Sequence, residues 1–122
     1  MITEFPAMKK LKILTCKGMV PVDINTIIRI EANSNYSKIF FVNGTTLVVA
    51  KVLRWFEENL LDDRFVRIHR THIVNKLFIR EYLNGTIRPA RGGKVFMANG
   101  ECIDVSKRKK IFFLKSWYQP AA

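Results

Sequence analysis

The sequence predicts a mostly β protein built from antiparallel hairpins, with one short internal helix and one short helix near the C-terminus. Three observations carry this expectation. Asn-Gly occurs at 43–44, 84–85 and 99–100, and Asn-Gly between apolar runs is the strongest short-range hairpin signal, because both residues accept the positive φ of a tight turn. The apolar runs on either side are short, as strands are. Only two segments have helical spacing, and they do not alternate with the strands, so a doubly wound parallel sheet is not expected.

Taken in order, strands are expected over 11–16, 19–22 and 27–32, and a hairpin pairs 39–42 with 45–49 across Asn43-Gly44. KVLRWFEENLL (51–61) follows. It places Val52, Leu53, Phe56, Leu60 and Leu61 on one face, with Arg54, Glu57 and Glu58 elsewhere, which is the spacing of an amphipathic helix. Further hairpins pair 79–83 with 87–88 and 95–97 with 102–105, with Gly92-Gly93 marking another turn. The last element, SKRKKIFFLKSWY (106–118), reads as a helix capped by Ser106 and docked through Ile111, Phe113 and Leu114.

Between the two helical segments lies FVRIHRTHIVN (65–75), which holds two arginines and both of the chain's histidines among apolar residues. Phe65, Val66, Ile68, Ile73 and Val74 suit a core strand. Arg67 and His69 are expected to make local hydrogen bonds, and Arg70 to emerge at the end of the strand. The whole segment therefore reads as a core strand running out into a functional loop.

The 122 residues suit one domain spanning 1–122, with no linker, repeat or low-complexity segment. The formal net charge is +11, from 21 Lys and Arg against 10 Asp and Glu. It is placed unevenly: residues 1–63 hold 8 basic and 7 acidic side chains, whereas residues 64–122 hold 13 and 3. Such an excess points to a polyanionic partner, whether nucleic acid, an anionic membrane surface or an acidic protein. Lys9, Lys10 and Lys12 interrupt any signal-peptide core, and no apolar run approaches the ~18 residues of a membrane span. The expectation is a cytoplasmic protein whose Cys16 and Cys102 are free thiols.

Enzymatic and metal chemistry find little footing. His69 and His72 stand three apart, but no Cys-x-x-Cys or His-Glu-x-x-His unit joins them, so a packed His69 bonded to the backbone outweighs a zinc ligand. No phosphate-cradling glycine loop, nucleophile elbow or Asp-x-Asp cluster occurs. Several carboxylates (Glu57, Glu58, Asp62, Asp63) belong to a solvated helical face or its end. No enzyme, cofactor or metal is expected.

Two polar stretches suit an anion better. Lys107, Arg108, Lys109 and Lys110 crowd the first turn of the last helix, where the macrodipole favours anions. Cations there make sense when a phosphate also meets the free N–H groups of the helix end. The run from Asn33 to Lys38 offers amide, hydroxyl and ammonium donors, although an ordinary connecting loop would use the same residue types. Arg91-Gly92-Gly93 is a single copy and reads as a turn rather than an RNA-binding box.

Three segments together resemble the LytTR family of bacterial DNA-binding domains, over about residues 9–116. They are Ile30-Glu31-Ala32 with Asn35-Tyr36-Ser37, then Phe65 to Asn75, then Asn99-Gly100-Glu101 with Ile103-Asp104-Val105-Ser106-Lys107-Arg108. The resemblance implies an elongated fold of antiparallel sheets that binds duplex DNA through loops inserted in the major groove. Carried over by motif position, Asn35, Tyr36, Ser37 and Lys38 approach the DNA from the first segment, Arg70 from the second, and Lys107 and Arg108 from the third. Arg70 and Arg108 suit base edges, because guanidinium pairs bidentately with guanine. Lys38, Lys107, Lys109 and Lys110 suit phosphates.

The sequence departs from the family pattern in three places. Thr71 stands where serine is usual and keeps the hydroxyl. Lys107 replaces a common arginine. The 84–94 stretch is longer than typical, and its Arg88 and Arg91 are further phosphate candidates. The resemblance also implies a transcriptional regulator of the response-regulator effector type in two-component systems, binding paired direct repeats with weak or DNA-induced dimerisation. A receiver domain does not fit in this length, which leaves a free-standing regulator or an excised effector domain. The alternative is an RNA- or single-strand-binding basic β module. It would need exposed aromatics for stacking, whereas Phe40, Phe56, Phe65, Phe78 and Phe96 occupy expected core positions.

Overall fold

In the computed structural model, which describes residues 9–83 and 92–117, the chain divides into two units, the first ending at Asp63 and the second beginning at Arg64. The boundary falls where the charge changes from near balance to a strong basic excess. The second hairpin partner expected over 87–88, with Arg88 and Arg91, lies outside the described residues, as does Tyr118.

The first unit opens with β1 (Lys10–Thr15) and β2 (Gly18–Asp23), paired antiparallel from Lys10↔Asp23 to Thr15↔Gly18. Gly18 has φ 100°, a conformation that a side chain would disfavour, and this lets the chain reverse at Cys16-Lys17. Asp23 then accepts the Asn25 N–H at 3.0 Å and caps a single 3-10 turn. Three antiparallel strands follow, in the order β5 (Thr46–Val49), β4 (Tyr36–Phe41), β3 (Ile27–Asn33). A bulge between Ile27 and Arg29 breaks the alternation, so Ile27, Ile28, Arg29 and Ile30 are all buried. The helix α1 (Leu53–Asn59) buries Leu53 and Phe56, and Leu60 closes its end by donating its N–H to the Phe56 carbonyl at 2.7 Å.

This helix is shorter than 51–61. Val52 and Leu61 lie beyond its ends and are exposed, so the expected apolar face shrinks to Leu53, Phe56 and Leu60. The expected loop over 33–38 also contracts. Asn33 pairs with Tyr36, which leaves Ser34-Asn35 as the whole connection, with Ser34 at φ 58°.

In the second unit, β6 (Phe65–His69) and β7 (His72–Asn75) form a hairpin that turns at Arg70-Thr71. Asn75 is fully buried, and its side chain accepts the Leu77 N–H at 3.0 Å, capping a 3-10 turn. A separate three-stranded antiparallel sheet has the order β10 (Cys102–Asp104), β9 (Lys94–Met97), β8 (Ile79–Leu83). Gly92 does more than turn the chain: a Cβ there would run into the Val105 carbonyl, so the backbones approach at a distance only glycine allows. The helix α2 (Lys107–Trp117) packs against β6. Its Phe113 is fully buried and lies 5.5 Å from the Tyr82 ring and 5.7 Å from the Trp117 ring. The far end of α2 is held by Lys76, whose Nζ donates to the Ser116 carbonyl at 3.2 Å and hydroxyl at 2.9 Å, a cation at the negative end of the helix dipole.

The expected docking face of α2 needs correction at Ile111, which is 68% exposed; Phe113 is the buried anchor and Leu114 is half-buried. Cys16 and Cys102 are free and exposed. Among the described residues no helix is long and apolar enough to cross a membrane, and no group of three metal-ligating side chains occurs.

Candidate nucleic-acid interface

Each unit carries part of the predicted set. In the first, strand alternation sorts the residues after the Ser34-Asn35 turn. Tyr36 and Lys38 share one face of β4 with Phe40, while Ser37 and Ile39 point to the other and are buried. Asn35 and Tyr36 are exposed, Tyr36 at 51%. Lys38 is half-buried, with its ammonium 5.3 Å above the Phe40 ring. Glu31 lies opposite Lys38 in register, yet its carboxylate accepts from Arg29 at 2.7 Å, and the Arg29 guanidinium stacks on Phe40 at 3.7 Å. The acid is thus engaged by its own strand.

Ser37 differs from its neighbours. It is fully buried, and its hydroxyl donates to the Lys51 carbonyl at 2.6 Å. That bond ties β4 to the segment leading into α1. The geometry makes Ser37 a support of the turn, not a group held out to solvent, which changes the role expected from the motif.

In the second unit, side chains of β6 fold back on the Arg70-Thr71 turn. Arg67 donates to the Arg70 carbonyl at 2.6 Å and, through Nε, to the His69 carbonyl at 3.4 Å. The Nδ1 atom of His69 accepts the Thr71 N–H at 3.2 Å and lies 2.9 Å from the Thr71 hydroxyl. Arg70 itself is exposed, and its guanidinium has no partner among the described residues.

The N-terminus of α2 is anchored beside this turn. Ser106 donates its N–H to the Ile68 carbonyl at 2.8 Å, while its hydroxyl accepts the Lys109 N–H at 3.1 Å. Ile68 precedes Arg70 by two residues, and Ser106 precedes Arg108 by two. One backbone hydrogen bond therefore brings Arg70, Lys107 and Arg108 into the same neighbourhood. Lys107 and Arg108 are exposed; Lys109 and Lys110 are half-buried as the helix turns toward β6. These cations follow one another in a first turn that contains no acidic residue.

Not every cation of this unit is available. Lys94 sits opposite Asp104 and donates to its carboxylate at 2.6 Å, and this bond raises the lysine pKa above its ordinary 10.5. Composition counts Lys94 with the basic excess, whereas the ladder pairs it internally. The sequence reading also missed the exposed Phe112, at 64%, one turn beyond Arg108 on α2. Of the five phenylalanines placed in the core, Phe56 is fully buried, and Phe40, Phe65, Phe78 and Phe96 are half-buried.

Comparison with known proteins identifies the fold and the family. The family model described as the LytTr DNA-binding domain matches residues 17–117, across both units. No curated protein matches the chain. Among solved structures, it is similar to the LytTr DNA-binding domain of a protein described as a methyl-accepting/DNA response regulator from Bacillus cereus. The two share 26% sequence identity with a TM-score of 0.74, over 92% of this chain and 99% of that chain. With the family model covering most of its length and antiparallel sheets of the same fold, the chain belongs to the LytTr DNA-binding domain family.

Proposed function

We propose that the chain acts as one sequence-specific duplex DNA-binding domain of a bacterial transcriptional regulator, the effector part of a two-component system, working in the cytoplasm. Its turns enter the major groove of paired direct repeats, where Arg70 and Arg108 read base edges. Lys38, Lys107, Lys109 and Lys110 hold phosphates, and Asn35 and Tyr36 present polar groups from the first unit. Ser37 supports its turn from within. Binding to two adjacent repeats brings two copies together on DNA, with weak association in its absence.

The observation that carries this reading is the hydrogen bond from Ser106 to Ile68, which gathers the exposed Arg70, Lys107 and Arg108 in the unit that holds nearly all of the excess positive charge. Guanidinium groups with no partner among the described residues offer their donors to guanine O6 and N7. Ammonium groups at a helix N-terminus add to the free N–H groups that favour phosphate.

Selection of bound duplexes from a random-sequence pool tests the proposal. A recurring motif in two direct copies is expected, with affinity falling steeply as salt is raised. Enrichment of no sequence would overturn the specific reading. The exposed rings of Tyr36 and Phe112 support one rival, a single-strand binder that stacks bases. Displacement of the selected duplex by an equal amount of single-stranded competitor would favour that rival.

A further inference from the structure

Two-residue hairpin turns favour Asn, Asp or Gly, because one or both central residues take positive φ. The β6–β7 turn has Arg70 and Thr71 instead, and neither has positive φ. Local preference therefore does not hold this turn in shape. Side chains do: Arg67 binds the Arg70 carbonyl at 2.6 Å, and His69 Nδ1 accepts the Thr71 N–H at 3.2 Å. A bulge between Arg67 and His69 shifts the register just before the turn, as bulges do where a strand must re-aim a side chain.

The chemistry at His69 is specific. A backbone N–H can only donate, so the Nδ1 that meets it must carry a lone pair, and the ring proton sits on Nε2. The Thr71 hydroxyl, 2.9 Å from the same nitrogen, donates to it as well. Two donors of one residue thus converge on one acceptor, and the residue they fix follows Arg70 directly.

We propose that His69 is a positioning residue for sequence discrimination: through an unprotonated Nδ1 it locks Thr71, and this sets the direction in which Arg70 leaves the turn. His69 need not touch DNA, since its acceptor faces inward to the turn. The inference rests on the reading of Arg70 as a base contact. It goes beyond that reading by making discrimination depend on the tautomer of a neighbouring ring.

Asparagine places its amide oxygen near the position of Nδ1, whereas glutamine reaches the position of Nε2. The test compares wild type, His69→Asn, His69→Gln, His69→Ala and Arg70→Ala. Each is titrated with the best duplex from the random pool and with a scrambled duplex of equal length. His69→Ala and His69→Gln are expected to lose at least about tenfold in the ratio of the two affinities, the scale of a lost bidentate base contact. Their affinity for the scrambled duplex should be unchanged, because no phosphate contact is removed. His69→Asn should stay within about threefold of wild type in that ratio. Equal behaviour of the Asn and Gln variants, or an equal loss on both duplexes, overturns the proposal.

A second measurement needs no variant to fold. Long-range ¹H–¹⁵N correlation on the wild-type chain should show His69 protonated at Nε2 alone, and a proton on Nδ1 refutes the lock. The Arg70→Ala arm separates the two levels of the argument. If it discriminates as well as wild type, or if the pool yields no preferred duplex, the Arg70 reading fails and this inference fails with it. If Arg70→Ala loses discrimination while His69→Ala keeps it, the inference alone is wrong.

Discussion

The Ser106 hydroxyl accepts the backbone N–H of Lys109 at 3.1 Å, and this bond fixes where α2 begins. The same residue gives its N–H to Ile68, so the helix start and the β6–β7 hairpin share one anchor. Ser106→Ala should cost about 1 kcal/mol of stability, as loss of an N-cap does. It should also fray the turn that carries Lys107 and Arg108. Ser106→Asp separates the two effects, because an acidic cap suits the helix dipole but opposes DNA. Urea unfolding should show near-normal stability for the Asp variant, while its affinity for any duplex falls.

Phe112 and Phe113 are neighbours with opposite roles. Phe113 is fully buried between Tyr82 and Trp117, and Phe112 is 64% exposed. Phe113→Ala should cost about 3–5 kcal/mol, the loss expected for a buried ring that leaves a cavity. Phe112→Ser should change stability by no more than about 0.5 kcal/mol. Denaturant midpoints of the two variants check the register of α2 directly.

This pair also marks how far residue pattern alone could be read. The hairpins were legible because Asn43-Gly44 and Asn99-Gly100 sit at turns where Gly44 and Gly100 take φ of 88° and 92°, a requirement written in the residue type. The α2 register was not. Ile111, Phe112, Phe113 and Leu114 are consecutive and apolar, so every face of that turn offered a candidate, and only packing against Tyr82 selects Phe113. The Ser34-Asn35 turn was hidden for a related reason: six polar residues carry no alternation to show that Tyr36 to Lys38 already lie in a strand. The cations at 107–110 and Arg70 were visible one by one. Their proximity was not, because it depends on a backbone bond between Ser106 and Ile68.

Arg108 and Lys109 adjoin in sequence but should fail differently when removed. Arg108 is exposed with no partner among the described residues, whereas Lys109 is half-buried at the cap. Arg108→Ala should lose about 1–3 kcal/mol against the preferred duplex and relax discrimination at one position. Lys109→Ala should weaken all duplexes alike and reduce the slope of log affinity against log salt by about one. Titrations at several salt concentrations, with preferred and scrambled duplexes, measure both quantities. Matching profiles would show that the division between base reader and phosphate anchor is wrong.

Ser37 offers the sharpest contrast between motif position and geometry. If it touched DNA, Ser37→Ala would lower affinity and leave the fold almost unaffected. The structure instead buries Ser37 completely and joins its hydroxyl to the Lys51 carbonyl at 2.6 Å. Removing the donor leaves that carbonyl short of a partner, at a cost of about 1–3 kcal/mol. Below the unfolding transition, DNA affinity should then be nearly unchanged, because the exposed side chains of Asn35, Tyr36 and Lys38 remain. Ser37→Thr keeps the donor but adds a methyl group to a fully buried position, so it should also destabilise, by about 1–3 kcal/mol. Thermal melting and duplex titration of both variants decide the matter. A variant that melts normally but binds weakly would return Ser37 to the contact surface.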